Sequence, residues 1–151
     1  MLRAALDRAD AFPEAVSPDV VPELLDELSR LYRRIGEYQQ AMDICERARD
    51  LARARGDDIG VAITERRIGM ACEALGRRRD AVSHFDAGIA LAGADTMLRA
   101  RLHLAKGDCL QALGRPEEAK REIAIALKLA ERLNLLPLLA RAHRQIGRAH
   151  V

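Results

Sequence analysis

Apolar residues fall along this chain in short ladders with helical spacing. Leu24, Leu28, Leu31 and Ile35 recur at i, i+4, i+7 and i+11, which gathers side chains onto one face of an α-helix. The matching residues further on are Thr64, Ile68, Ala71 and Leu75, then Leu102, Lys106, Cys109 and Leu113. Lys106 is the odd member. Each ladder runs into a glycine with an alanine five residues beyond it: Gly36 and Ala41, Gly76 and Ala81, Gly114 and Ala119. A second ladder follows each alanine: Cys45, Ala48, Leu51; Phe85, Gly88, Leu91; Ile123, Ala126, Leu129. The pattern predicts three helix pairs. In each, the glycine supplies the left-handed residue that ends the first helix, and the second helix starts within two or three residues. Pro116 sits in a first turn, where its missing N–H leaves no helix bond unmade. Asp57 or Asp58, and Asp95 or Thr96, are placed to cap the next first helices. No stretch alternates apolar with polar residues, so no strand is predicted.

The alanines stand 40 and then 38 residues apart. Self-similarity at such a period means stacked units rather than one globular core. The expected divisions are an amino-terminal helix and loop over 1–21, repeats over 22–58, 59–95 and 96–134, and a terminal half-repeat or capping helix over 137–151. Within the first of these, residues 2–11 read as a short helix and Phe12-Pro13 to Ser17-Pro18 as a loop. Ile146-Gly147 matches Ile68-Gly69. Both ends look cut in mid-repeat, which fits either a piece of a longer array or a short protein with two capping helices. Ser29, Gly69, Gly107 and Gly147 share one place in the first helices, and Ala41, Ala81 and Ala119 share one in the second. Small side chains there let helix axes approach to ~8–10 Å.

These marks resemble the tetratricopeptide repeat family. The likeness rests on the small residue at Ser29, Gly69 or Gly107, the glycine at Gly36, Gly76 or Gly114, and the alanine at Ala41, Ala81 or Ala119. Tyr32, Tyr38 and Phe85 stand where that family prefers aromatics, and the resemblance covers about residues 22–150. The repeats depart from the family's usual ~34 residues and lack its closing proline. This longer form is similar to repeats attached to bacterial signalling regulators. The resemblance implies an all-α, right-handed superhelical solenoid of antiparallel helix pairs whose first helices line a concave groove for partner peptides.

Mapped onto that groove are Glu23, Asp26, Arg30 and Arg33, then Ile63, Arg66, Met70 and Glu73, then Arg101, Leu104, Asp108 and Gln111. The last helix adds Arg141, Arg144 and Arg148, with Gln145 beside them on a side expected to face water. Acids gather at the amino end and arginines at the carboxyl end. Guanidinium forks suit carboxylates, so the candidate partner-binding set is Arg30, Arg33, Arg66, Met70, Arg101, Leu104, Asp108, Arg141, Arg144 and Arg148, and the expected ligand is an acidic segment or chain-terminal carboxylate. Arginine outnumbers lysine 22 to 3 throughout, so solvated charge is the alternative reading of this face. The family's clamp for chaperone tails would fall on Asp26, Arg30, Arg67, Arg101 and Ala105, of which only Arg101 fits by charge.

Composition narrows the remaining classes. Apolar residues make up 49% and charged residues 32%, with a net charge of +2, which argues against generic attraction to nucleic acid or anionic lipid. Four aromatics are too few to interleave a base-stacking surface, and Arg77-Arg78-Arg79 falls in a turn outside the groove. No apolar run nears the ~20 residues of a membrane span. Cys45, Cys72 and Cys109 form no CxxC pair and lie on apolar faces, as expected of packing thiols in a reducing cytoplasm. Glu65, His103 and His143 share one place in successive first helices, yet helix spacing of ~8–10 Å separates them too far to share a metal. No P-loop, GxGxxG, HExxH or nucleophile elbow is present. The expectation is a non-catalytic interaction or sensory module without metal or cofactor, possible as part of a larger bacterial regulator. Homo-oligomerisation through the stack ends is the alternative, and a nucleic-acid adaptor ranks third.

Overall fold

The structure, a computed structural model, describes residues 1–11 and 20–149, with the side chains of 148 and 149 outside the description. The loop expected over 12–18 therefore lies outside the described residues. Eight α-helices and no strand occur among those described: α1 (Leu2–Ala11), α2 (Val20–Arg34), α3 (Tyr38–Ala54), α4 (Asp58–Ala74), α5 (Arg78–Leu91), α6 (Thr96–Ala112), α7 (Pro116–Arg132) and α8 (Leu136–Ala149).

Local chemistry sets the boundaries. Gly36, Gly76 and Gly114 take φ of 82°, 78° and 74°, a region closed to most side chains and open to glycine. Asn134, one of the few other residue types that tolerates positive φ, makes the same turn before α8 at φ 52°. Asp57 and Asp95 cap α4 and α6 by accepting from Gly60 N–H at 2.9 Å and Leu98 N–H at 3.0 Å. Pro116 opens α7.

Each helix packs mainly on its chain neighbours, which makes the antiparallel stack. In addition α4 meets α6 and α6 meets α8, while no odd-numbered pair reaches comparable contact. From α4 onward the even-numbered helices thus lie closer together, as the inner layer of a curved stack must. The pairs are closed by small residues. A Cβ on Gly69 would stand 2.5 Å from the Phe85 ring, and one on Gly107 would stand 2.8 Å from Ile123. Phe85 and Ile123 are themselves fully buried. The central core gathers Ile68, Cys72, Phe85, Leu102 and Cys109 from α4, α5 and α6, and a second core joins Leu6 of α1 to Leu25, Leu28 and Ile44. Ile35 departs from its expected place. It falls beyond the end of α2, in the turn before Gly36, and is 60% exposed.

Lys106 interrupts its apolar ladder because it has partners. Its ammonium lies 2.8 Å from Asp86 and 2.9 Å from Glu122. The two residues expected to pack at Glu65 and His103 are buried and paired across their own helix pair. Glu65 meets His84 at 2.6 Å and Arg49 at 3.2 Å; His103 meets Glu122 at 2.6 Å. Acid and imidazole exchange sides between successive pairs, so the contact is kept while its direction reverses.

Candidate functional site

The inner face is built by α2, α4, α6 and α8. Arg33, Arg66, Arg101 and Arg141 belong to these four helices, one to each, and the other three lie close enough to Arg66 to act on it electrostatically. Their helix neighbour Arg67 belongs to the same field. Two of these five charges are neutralised: Arg67 by Asp26, and Arg141 by Asp108 at 2.7 Å. Asp26 also takes Arg30 at 3.0 Å, one turn along α2. The acidic amino end expected for the groove is thereby reduced, since its Asp26 is already engaged twice.

Arg33, Arg66 and Arg101 have no carboxylate partner among the described residues. Arg33 makes only a weak 4.0 Å contact to the sulfur of Met70. Arg66 is half-buried, and its Nε is shielded from water without a hydrogen-bond partner. Burial, reinforced by Arg101, Arg33 and Arg141, pushes its guanidinium down to about 10. It stays charged at neutral pH. A desolvated cation among like charges costs free energy unless an anion compensates it.

The remaining site residues sort by surroundings. Arg144 is exposed, and the side chain of Arg148 lies outside the described residues, as does His150. Met70 is partly buried against the central core. Asp108 is internally committed, bonded to Arg141 and to the Gln145 amide. Burial and the neighbouring Asp108 charge raise the Glu73 carboxyl above its usual range.

Two assignments need correction. Leu104 does not line the groove: it is 0% exposed and packs with Ile123, Ala126 and Ala142. The reason is α8, which lies over this part of α6 and converts a groove position into core. Gln145 does not face water either. It is 3% exposed, because its amide turns inward to Asp108 while its backbone carbonyl accepts from Gln111 at 3.4 Å.

Two clefts flank the arginines, and neither was visible as a sequence motif. The first, of ≈ 220 Å³, lies between α2 and α4 over α3, with Pro22, Ala48, Leu51 and Ile63 among its walls and the Asp26–Arg67 pair at its edge. The second, of ≈ 260 Å³, lies between the starts of α6 and α8, lined by Met97, Leu135, Pro137 and Leu138 with Arg101 and Arg141. No group of three or more His, Cys, Asp or Glu side chains that could hold a metal occurs among the described residues. Cys45, Cys72 and Cys109 are free and buried.

Family profiles described as tetratricopeptide repeat match residues 21–94 and 100–132. The chain belongs to the tetratricopeptide repeat family. No curated protein matches it by sequence. Among solved structures, this tetratricopeptide repeat chain is similar to PcrH in complex with the chaperone-binding region of PopD, at 20% identity and TM-score 0.74, covering 89% of this chain and 94% of that one. It is similar to the Yersinia enterocolitica type III secretion chaperone SycD bound to a peptide of the translocator YopD, at 19% identity and TM-score 0.71, covering 91% and 96%. It also matches the apo form of RapI at 16% identity and TM-score 0.80, covering 97% of this chain and 56% of RapI. At these identities the likeness is one of fold.

Proposed function

We propose that this chain is a non-catalytic interaction module whose inner face, formed by α2, α4, α6 and α8, takes a segment of a partner protein. The observation that carries the reading is the set of three arginines, Arg33, Arg66 and Arg101, near one another on that face without acids among the described residues to neutralise them. Scattered solubilising charge would spread apart or pair locally, as Arg115 does with Glu118 at 2.5 Å on the outer layer. PcrH and SycD, which share the fold, each hold a segment of another protein, which supports a binding role here. The three free, buried thiols suit a reducing compartment, so the reading places the module in the cytoplasm. Its place in a larger bacterial regulator is the finer form of the proposal.

The test compares two folded charge-reversal pairs in pull-downs from source-cell extract. Arg66→Glu/Arg101→Glu alters the inner face; Arg121→Glu/Lys128→Glu alters exposed positions of α7 in the outer layer. The expected outcome is a partner kept by wild type and the outer pair and lost by the inner pair. Loss with the outer pair alone contradicts the reading. Recovery of nothing but further copies of this chain, with all three proteins, favours self-association instead.

A further inference from the structure

The chemistry of the inner face specifies more than a peptide. We propose that the ligand is an extended segment carrying two apolar side chains, one for each cleft, with carboxylates between them for Arg66 and for Arg101 at the near wall of the second cleft. This inference rests on the inner-face reading and adds the ligand's pattern to it.

The walls of both clefts are mainly apolar; Arg55, Asp57 and the Asp26–Arg67 pair also line the first, Arg101 and Arg141 the second, and Arg66 lines neither. Each opens between neighbouring inner-layer helices, the first at α2/α4 and the second at α6/α8. The surface between them is cationic rather than apolar. A helical ligand lays down a continuous apolar stripe, and Arg66 and Arg101 interrupt any such stripe here. An extended chain, by contrast, presents apolar and acidic side chains at separate points. From cleft to cleft is two helix spacings, roughly 16–20 Å at ~8–10 Å each. At ~3.3 Å per residue that span is about five to six residues. The segment therefore reads apolar, then four or five residues containing acid, then apolar.

Why the carboxylates should sit on Arg66 and Arg101 follows from which charges are already met. Arg30, Arg67 and Arg141 have acids of this chain. Among the described residues Arg66 and Arg101 have none, and the Arg66 Nε has no hydrogen-bond partner there. An arriving carboxylate supplies what the fold withholds, and a bidentate arginine contact fixes its orientation. The unliganded face is consequently held in an electrostatically unfavourable state. Arg66→Gln should raise the melting temperature of the free protein while weakening ligand binding, a trade of stability for function.

The experiment is a selection from a displayed library of random sixteen-residue peptides on the full 151-residue chain. Affinities of winning peptides are then read by fluorescence anisotropy. Expected winners carry two apolar residues five to six apart with acid between them. Their binding should fall at least about tenfold with Arg66→Gln/Arg101→Gln, or when the peptide acids become amides, and should weaken with added salt. Circular dichroism and the melting temperature verify that each variant is folded. Winners that lack acid, or whose apolar residues stand a helical eleven to thirteen apart, overturn the proposed pattern. If such peptides are nonetheless lost with Ile63→Glu, the inner-face reading survives. Winners insensitive to every inner-layer substitution, or no winners at all, overturn both. Competition by a twelve-nucleotide oligothymidylate at equal strength would reassign the arginines to nucleic acid and overturn the proposal.

Discussion

Gly107 and Gly147 occupy the same register in α6 and α8, yet they have opposite surroundings. A Cβ on Gly107 would meet Ile123 at 2.8 Å and the Ala119 carbonyl at 3.4 Å, whereas one on Gly147 would meet nothing within 4 Å. The same contrast holds for the residues four positions earlier. His103 is buried and bonded to Glu122, while His143 is exposed and has no such partner among the described residues. The sequence mark is identical; the partner helix is what gives it meaning. In the middle of the stack the following second helix closes over each mark. In α8 that side is open, and the helix is fixed from its other sides, by Leu138, Ala142 and Ile146 packing on α6 and α7 and by Arg141 and Gln145 on Asp108.

The sharpest way to break this comparison is to overfill both glycines. Gly107→Leu should cost about 3 kcal/mol, at the upper end for overpacking, and lower Tm by roughly 6–12 °C for a chain of this size. Gly147→Leu should lower it not at all. Equal losses in thermal unfolding would mean that the register drawn between α6 and α8 is wrong.

Next in size is the buried pairing. Glu65→Ala leaves His84 without its acid and takes from Arg49 the nearer of its two, Asp50 remaining at 3.7 Å. These partners retain some exposure, so the cost should be about 2 kcal/mol, below the 3–5 of a fully buried pair. His143→Ala, at the equivalent place in α8, should stay within about 0.5 kcal/mol. Urea unfolding of the two variants side by side checks both numbers.

Acid titration sharpens the same point with a smaller effect. Burial pushes the Glu65 and Glu122 carboxyls up, but hydrogen bonds and nearby charge from His84 and Arg49, and from His103 and Lys106, outweigh it and hold both below their usual 4.5. Carboxyls depressed in the folded state contribute stability that is complete above that value and is lost as pH falls through the lowered range. Stability should therefore decline below about pH 4.5, and Glu65→Gln/Glu122→Gln should flatten the decline. An unchanged slope in urea midpoint against pH would remove these pairs from the account.

The smallest effect is a change of sign. Alanine in place of a helical glycine gains roughly 0.5–1 kcal/mol when nothing obstructs it. Gly147→Ala should accordingly stabilise and Gly107→Ala destabilise. The same sign at both positions, in thermal unfolding, would contradict the open and closed surroundings assigned to them.

The helices were legible because their determinants are local. Glycines at positive φ, capping aspartates and three coincident ladders specify starts and ends without knowledge of what lies opposite. The site was legible only in part. The family resemblance places Arg66, Arg101 and Arg141 on one face, but whether each meets an acid depends on residues such as Asp26 and Asp108, contributed by other helices. Leu104 failed as a groove residue because α8 covers it, a tertiary fact with no local signature. Gln145 failed for the reverse reason, since a polar residue on a polar-looking face turned inward to Asp108. The clefts join side chains from two or three helices, and no spacing along the chain announces them.

The central claim is that binding takes place on the inner layer. The most direct measurement is backbone amide NMR of the 16.7 kDa chain titrated with a selected peptide. The account predicts shifts concentrated in α2, α4, α6 and α8 around Arg66 and Arg101, and at the cleft wall of α3 around Ala48 and Leu51, with α5 and α7 little moved. Shifts concentrated in α5 and α7 would contradict it.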